Sequence, residues 1–276
     1  MVLGIQQLSV KEFDLKHPPF EHPELEQFHY DLLSGFEMVP DYERLKKGNN
    51  NSYHIMGAAL LDEERWQQVI NEVDLFVMAY SFPNIRPDIS IVNYLMDRYG
   101  GNSLNFAIND MGFASPFMAL HIIRQYLEEH LFQKAILLVM DQTSLAYKMD
   151  ELQGVDCVDT GAVLLIDNHQ GSKGNILDIH MGHIGSLDKH KLHANVDEFL
   201  KEKGVSVQDV LFLAHPSLAT FIDSSYEVIY YEKTRWSAAP FLALSTLMKS
   251  HIPFDHVCVL HYEKDDDYLY KLLLRM

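Results

Sequence analysis

Residues 105–120 read NFAINDMGFASPFMAL, a segment with the pattern of a nucleophile's seat. The pattern predicts a strand over 104–108, a turn of small residues, and an apolar helix over about 115–130. Such a turn holds one side chain at a helix N-terminus, where free amides and the dipole stabilise a thiolate or an oxyanion. The residue at its tip is Ala114, whose methyl can neither attack nor titrate. Ser115, one place on, would be a nucleophile if His215 served as its base. A serine at this turn is also an ordinary helix N-cap, with Pro116 at the first helical position in support. His215, in Ala-His-Pro-Ser-Leu, is a working base, a core histidine satisfied by backbone, or a relic of lost chemistry.

Other reactive side chains point to less. The chain has 15 histidines, and His180/His183 and His190/His193 have spacings that could hold a metal. Neither pair has a cysteine nearby, and strand alternation turns the first pair to opposite faces, so no metal site is expected. No cofactor is expected either. Cys157 sits in Val-Asp-Cys-Val-Asp, where the carboxylates would raise its thiol pKa, so it is not read as a nucleophile. The methionines and aromatics read as core and interface packing.

The elements around these residues alternate. Strands are expected over 2–10, 74–80, 104–108, 135–140, 161–167, 175–181, 210–214, 226–231, 257–262 and 268–274. Helices are expected over 24–34, 58–73, 89–99, 115–130, 194–203 and 237–250, with Gly100, Gly101 and Gly204 as stops and Ser237 as a cap. DLFVMAY, at 74–80, is continuously apolar, as a strand buried on both faces must be. Strands alternating with helices predict α/β layers. Pro116-Phe-Met-Ala-Leu120 and Pro240-Phe-Leu-Ala-Leu244 each open a helix that leads into an apolar strand. That faint repeat suggests two duplicated halves, 1–168 and 169–276.

Composition narrows the function classes. The 276 residues are 47% hydrophobic and 22% charged, with a formal net charge of −17. That charge argues against nucleic acid and against docking an acidic partner over a broad surface. No run is long enough for a membrane span, the first residues lack a secretory pattern, and there are two cysteines, so a reducing cytoplasm is expected.

In order and spacing, the chain resembles the thiolase-like superfamily, most closely the ketoacyl-acyl-carrier-protein synthase III branch. The resemblance runs from Asp74 onward. It is carried by DLFVMAY, SFPNIRPDIS, the strand–elbow–helix around Ala114, DCVDTGAVLLID, LFLAHPSL and TRWSAAPFLAL. It implies an α/β fold in thiolase-like αβαβα layers of two pseudo-repeated halves. Active members carry a cysteine at the elbow, a histidine after a buried strand and an asparagine before a Ser-Ala-Ala helix start. Anchored on Phe117, those positions fall on Ala114, His215 and Arg235. The family's glycine-rich oxyanion loop corresponds to residues 263–267, Glu-Lys-Asp-Asp-Asp, with which Arg235 is expected to pair. Without sulfur there is no acyl thioester, and carboxylates repel a developing oxyanion, so the resemblance implies a degenerate, non-condensing member.

The resemblance also implies partners. The strand before the elbow, with Leu104, Phe106 and Ile108, would pair across a two-fold axis. The loop with Phe82, Ile85 and Arg86 would reach towards the partner's site. The leading expectation is an inactive, chain-length-factor-like subunit. It would pair with an active ketosynthase paralogue in fatty-acid, polyketide or related secondary-metabolite biosynthesis, and meet acyl carrier protein through that partner. The alternatives are a serine-dependent acyltransferase or thioesterase using Ser115 and His215, and a homodimeric ligand-binding protein on a retired synthase scaffold.

Overall fold

The computed structural model describes residues 2–19, 21–109, 111–148, 158–250 and 252–276. Chain order runs β1 (Leu3–Phe13), α1 (Pro23–Ser34), α2 (Tyr42–Lys47), α3 (Tyr53–Leu61), α4 (Glu64–Gln67), β2 (Leu75–Ala79), α5 (Ile91–Tyr99) and β3 (Leu104–Ile108). It continues with α6 (Ser115–Glu128), β4 (Lys134–Asp141), β5 (Asp159–Asp167), β6 (Gly174–His183) and α7 (Lys189–Glu202). Last come β7 (Val210–Ala214), β8 (Glu227–Tyr230), α8 (Ala239–Leu247), β9 (His256–Glu263) and β10 (Tyr268–Arg275).

The strands form one ten-stranded order, β3-β2-β4-β5-β1-β6-β10-β9-β7-β8. Read from its two ends, this is one five-strand pattern used twice. In each half the first two pairings from the edge are parallel and the next two antiparallel. The halves meet where β1 and β6 pair, Leu3 against Ile176.

Alternation along the strands divides the core into layers. In β2, Leu75, Val77 and Ala79 face a central cluster shared with Phe117 of α6 and Phe241 of α8. Phe76 and Met78 face the opposite way, onto α3 and α5. In β9, Val257 and Val259 face the central cluster, while Cys258 and Leu260 lie under α7. The result is helix, sheet, helix, sheet, helix. All five residues of β2 are fully buried, which is why its sequence shows no polar alternation.

Some local expectations change. The helix expected over 58–73 is instead α3, α4 and a 3-10 turn at Ile70–Glu72. The break lets Trp66 bury fully and donate from Nε1 to Ser9 Oγ at 2.9 Å. Ser115 is the first helical residue and Ala114 the cap, so Pro116 is second rather than first. Ser237 does not cap α8; it lies inside the 3-10 turn at Lys233–Ala238. Cys157 lies outside the described residues.

Candidate functional site

β3 ends at Ile108, and the chain turns through a 3-10 turn at Gly112–Ala114 into α6. Gly112 has φ +53°, and a Cβ there would come within 3.0 Å of Glu263 Oε1. Both facts call for glycine. The Ala114 methyl sits at the helix start, fully buried. Ser115 is also fully buried, and its Oγ donates to the Gly112 carbonyl at 3.0 Å. That bond back to the turn uses the hydroxyl proton a nucleophile would have to surrender.

The turn before α6 is held by one of the chain's own carboxylates. Glu263, the last residue of β9, accepts the backbone N–H of Phe113. Its other partner is His261, whose Nε2 lies 2.8 Å from Glu263 Oε1, while His261 Nδ1 lies 2.8 Å from the Tyr231 hydroxyl. The His261 ring thus bridges the Glu263 carboxylate and the Tyr231 hydroxyl. His261 and Tyr231 are buried, and the His261 ring stacks on Phe117 of α6 at 5.5 Å. Burial alone would raise the Glu263 pKa, but the His261 bond and the Phe113 amide hold it below the usual range. The elbow amide is therefore paired with a fixed negative charge, a poor setting for thiolate or oxyanion.

The second half repeats this arrangement in reverse. Asp141, the last residue of β4, accepts Ser237 N–H at 2.9 Å and Ser81 N–H at 2.7 Å, and also the Phe82 amide. Asp141 is fully buried, and that burial pushes its pKa up to about 6 despite those donors. Ser81 Oγ bonds both Ser237 Oγ at 2.5 Å and the Gly112 carbonyl at 2.7 Å, joining the two turns. Each half thus ends a central strand in a carboxylate that holds the other half's helix-start turn.

His215 follows β7. Its Nδ1 accepts Ser217 N–H at 3.2 Å and lies 2.7 Å from Ser217 Oγ. Its ring meets His261 edge-on, centroids 5.1 Å apart. Burial, then the neighbouring His261, push its pKa down to about 4, so it is neutral near pH 7. Among the described residues no hydrogen bond joins His215 to Ser115.

Arg235 does not pair with residues 263–267. Its Nε donates to Glu12 Oε1 at 2.6 Å, and its Nη1 lies 3.1 Å from Glu232 Oε2. The local turn explains the change. Trp236 has φ +53° and ψ −137°, a conformation costly for any side chain but glycine, and it packs inward. Its ring lies 4.4 Å from Phe82 and 5.6 Å from Phe113, so an aromatic cluster covers the elbow. The loop after β2 follows suit, with Phe82 and Ile85 buried within this subunit. Arg86 is half-buried and forms a two-pronged pair with Asp88, at 2.8 and 2.7 Å.

β3 lies at one end of the strand order and, among the described residues, pairs only with β2. Leu104 is 44% exposed, whereas Phe106 and Ile108 are half-buried. The edge carries no charge and no proline, the features that usually keep an edge strand from pairing. Among the described residues, no three His, Cys, Asp or Glu side chains converge to hold a metal. No helix there is long and apolar enough to cross a membrane.

The sequence reading missed His261, Tyr231, Trp236 and Asp141. A signal for Asp141 and Glu263 was present in the internal repeat. KAILLVMD and HVCVLHYE are equivalent eight-residue strands, each ending in a carboxylate.

No family model matches the sequence, and no curated protein matches it. Solved structures do match, over nearly the whole chain. The tetronic acid condensing enzyme AbyA1 is 13% identical with a TM-score of 0.68, covering 99% of this chain and 100% of that one. The 3-oxoacyl-[acyl-carrier-protein] synthase III of Aquifex aeolicus is 14% identical with a TM-score of 0.63, covering 99% and 100%. The C-terminal type III polyketide synthase domain of Steely1, from Dictyostelium, is 12% identical with a TM-score of 0.63, covering 99% of this chain and 99% of that one. The chain has the thiolase-like αβαβα fold of these condensing enzymes, in two pseudo-repeated halves.

Proposed function

We propose that this chain, folded like a ketoacyl synthase III, is a non-condensing subunit that pairs along β3 with an active ketosynthase paralogue. The pathway would be fatty-acid, polyketide or related secondary-metabolite biosynthesis, with acyl carrier protein met through the partner. The observation that carries the reading is the elbow itself. A buried alanine methyl stands at its tip, and the Glu263 carboxylate accepts the Phe113 amide beside it. Such a turn lacks an attacking atom and carries the wrong charge for an oxyanion. We take 1–168 and 169–276 as the duplicated halves. The uncharged edge of β3 supplies the pairing surface.

The reading predicts that the purified chain takes no acyl group from acyl thioesters, by intact-mass measurement. Co-expression with an active paralogue yields a 1:1 complex, which Phe106→Asp abolishes. Ala114→Cys alone stays unacylated, because Glu263 disfavours the thiolate. Ala114→Cys with Glu263→Gly gains acylation at residue 114. Condensation by the unmodified chain alone, or failure to pair with any ketosynthase, overturns the proposal.

A homodimer along the same edge, on a scaffold retained for ligand binding, is the second reading. It is favoured by a sizeable cavity beside β3. Serine chemistry has less support, because Ser115 Oγ is buried and donates to Gly112.

A further inference from the structure

β8 closes the strand order at the end opposite to β3 and, among the described residues, pairs only with β7. Tyr231 N–H donates inward to the Ala214 carbonyl at 3.2 Å. Backbone groups alternate in direction along a strand, so the N–H and C=O of Val228 and Tyr230 face outward. Glu227, Ile229 and Tyr230 are exposed, whereas all five residues of β7 are buried. β8 is therefore an open edge that can accept one more strand.

A groove runs beside that edge. It has a volume of about 310 Å³ and lies between β8 and α8, with Leu213 and Ile229 on one wall and Leu242, Ala243 and Thr246 on the other. The two halves differ here. α6 has 14 residues and α8 has 9. Aligned on Pro116 and Pro240, Thr246 stands where α6 carries Ile122. The shorter helix and the smaller, polar side chain leave space along β8.

The chemistry of the groove selects its occupant. The aliphatic walls suit an apolar side chain from an added strand. At the end of the groove Glu12 and Glu232 both pair with Arg235, one carboxylate more than the guanidinium balances. Both acids are exposed, and no other charged side chain among the described residues lines the groove. Glu227 adds a further negative charge on the same strand. Two copies laid along β8 would bring these carboxylates together, on chains that each carry a formal charge of −17. A basic strand meets the opposite sign.

We propose that β8 binds an extended, basic peptide segment of another protein. The segment adds to the outer edge as a strand, with an apolar side chain in the groove and a lysine or arginine against Glu12 and Glu232. The surface lies at the opposite end of the strand order from β3, so the inference stands whichever chain pairs there.

The probe is fluorescein-labelled Thr-Lys-Thr-Leu-Thr-Lys-Thr, which reads alike in both directions, with a copy carrying glutamate for lysine as control. Fluorescence anisotropy with the full chain should show saturable binding with a Kd of about 10–100 µM, and binding of the control at least about ten-fold weaker. Tyr230→Pro removes an outward N–H without breaking a bond to β7, and should weaken binding by about ten-fold. Tyr230→Ala keeps that N–H and should change binding by about two-fold at most. Thr246→Trp fills the groove from an exposed position and should weaken binding by about ten-fold. Glu12→Gln with Glu232→Gln should bring the two peptides to within about three-fold of each other. Absence of saturable binding, equal affinity for the two peptides, or equal effects of the proline and alanine variants overturns the proposal. Unchanged binding in both Thr246→Trp and the double glutamine variant overturns it as well. A dimer that Tyr230→Pro dissociates would make a second copy the occupant, and would also overturn it.

Discussion

The two halves start their central helices with the same backbone and opposite chemistry. Gly112-Phe-Ala-Ser-Pro-Phe117 opens α6, and Trp236-Ser-Ala-Ala-Pro-Phe241 opens α8. Gly112 and Trp236 share φ +53°, Ala114 and Ala238 are both caps without a side-chain bond, and each turn gives one amide to a carboxylate from the other half. The difference lies in the first residue. At Gly112 the carboxylate of Glu263 occupies the space a Cβ would need. At Trp236 the strained backbone is kept because the side chain fills the space over the elbow. In one turn the pocket is filled by a charge from another strand, in the other by the turn's own ring. Both outcomes make structural joints of the two helix starts.

The largest test of this comparison is Asp141→Ala. It strands three amide donors in a fully buried place, so stability should fall by about 3–5 kcal/mol, read by urea titration. Glu263→Ala leaves one such amide and His261 Nε2 without their partner, at a less buried carboxylate, and should cost about 2–3 kcal/mol. An equal loss in the two variants would erase the distinction drawn between a sealed joint and one nearer solvent. No loss for Glu263→Ala would mean its carboxylate does not hold the elbow.

Gly112→Ala should cost about 1–2 kcal/mol, from positive φ together with the 3.0 Å approach of Glu263. Part of that cost is steric. A double-mutant cycle with Glu263→Ala should therefore show about 0.5–1 kcal/mol of relief. Strict additivity would remove Glu263 from the turn.

The smallest effect concerns His215, which follows β7 as Tyr80 follows β2. Its folded pKa of about 4 lies below the unfolded value of 6.5. The unfolded chain therefore binds more protons between those values, and stability rises with pH across that window. His215→Gln should flatten the rise by about 1 kcal/mol or less, because the ring is only half-buried. An unchanged pH profile of Tm would show that the ring is not shielded from water.

Much of the fold was legible. The continuous apolar run at 74–80 identified a strand buried on both faces, and Gly100 does end α5, in the left-handed conformation. The helix expected over 58–73 was the main error, because periodicity alone does not register that Trp66 must turn to reach Ser9. At the site, the turn that carries Ala114 at the start of α6 was readable, but the pairing of Arg235 was not. Nearness to an acidic run in the motif map is not nearness in space. Glu12, 223 residues away, and the neighbouring Glu232 were the carboxylates that met it.

The residue types along the chain were enough to exclude Ala114 as a nucleophile, because no conformation can make a methyl nucleophilic. They were also enough to set the alternation of strands and helices, since burial on one or both faces is written in local pattern. What holds each helix-start turn was decided only in three dimensions. Glu263 reaches Phe113, and Asp141 reaches Ser237, because two halves of one chain stack with their central strands ending at each other's turns. Contacts of that kind depend on the packing of whole layers, which local sequence does not encode.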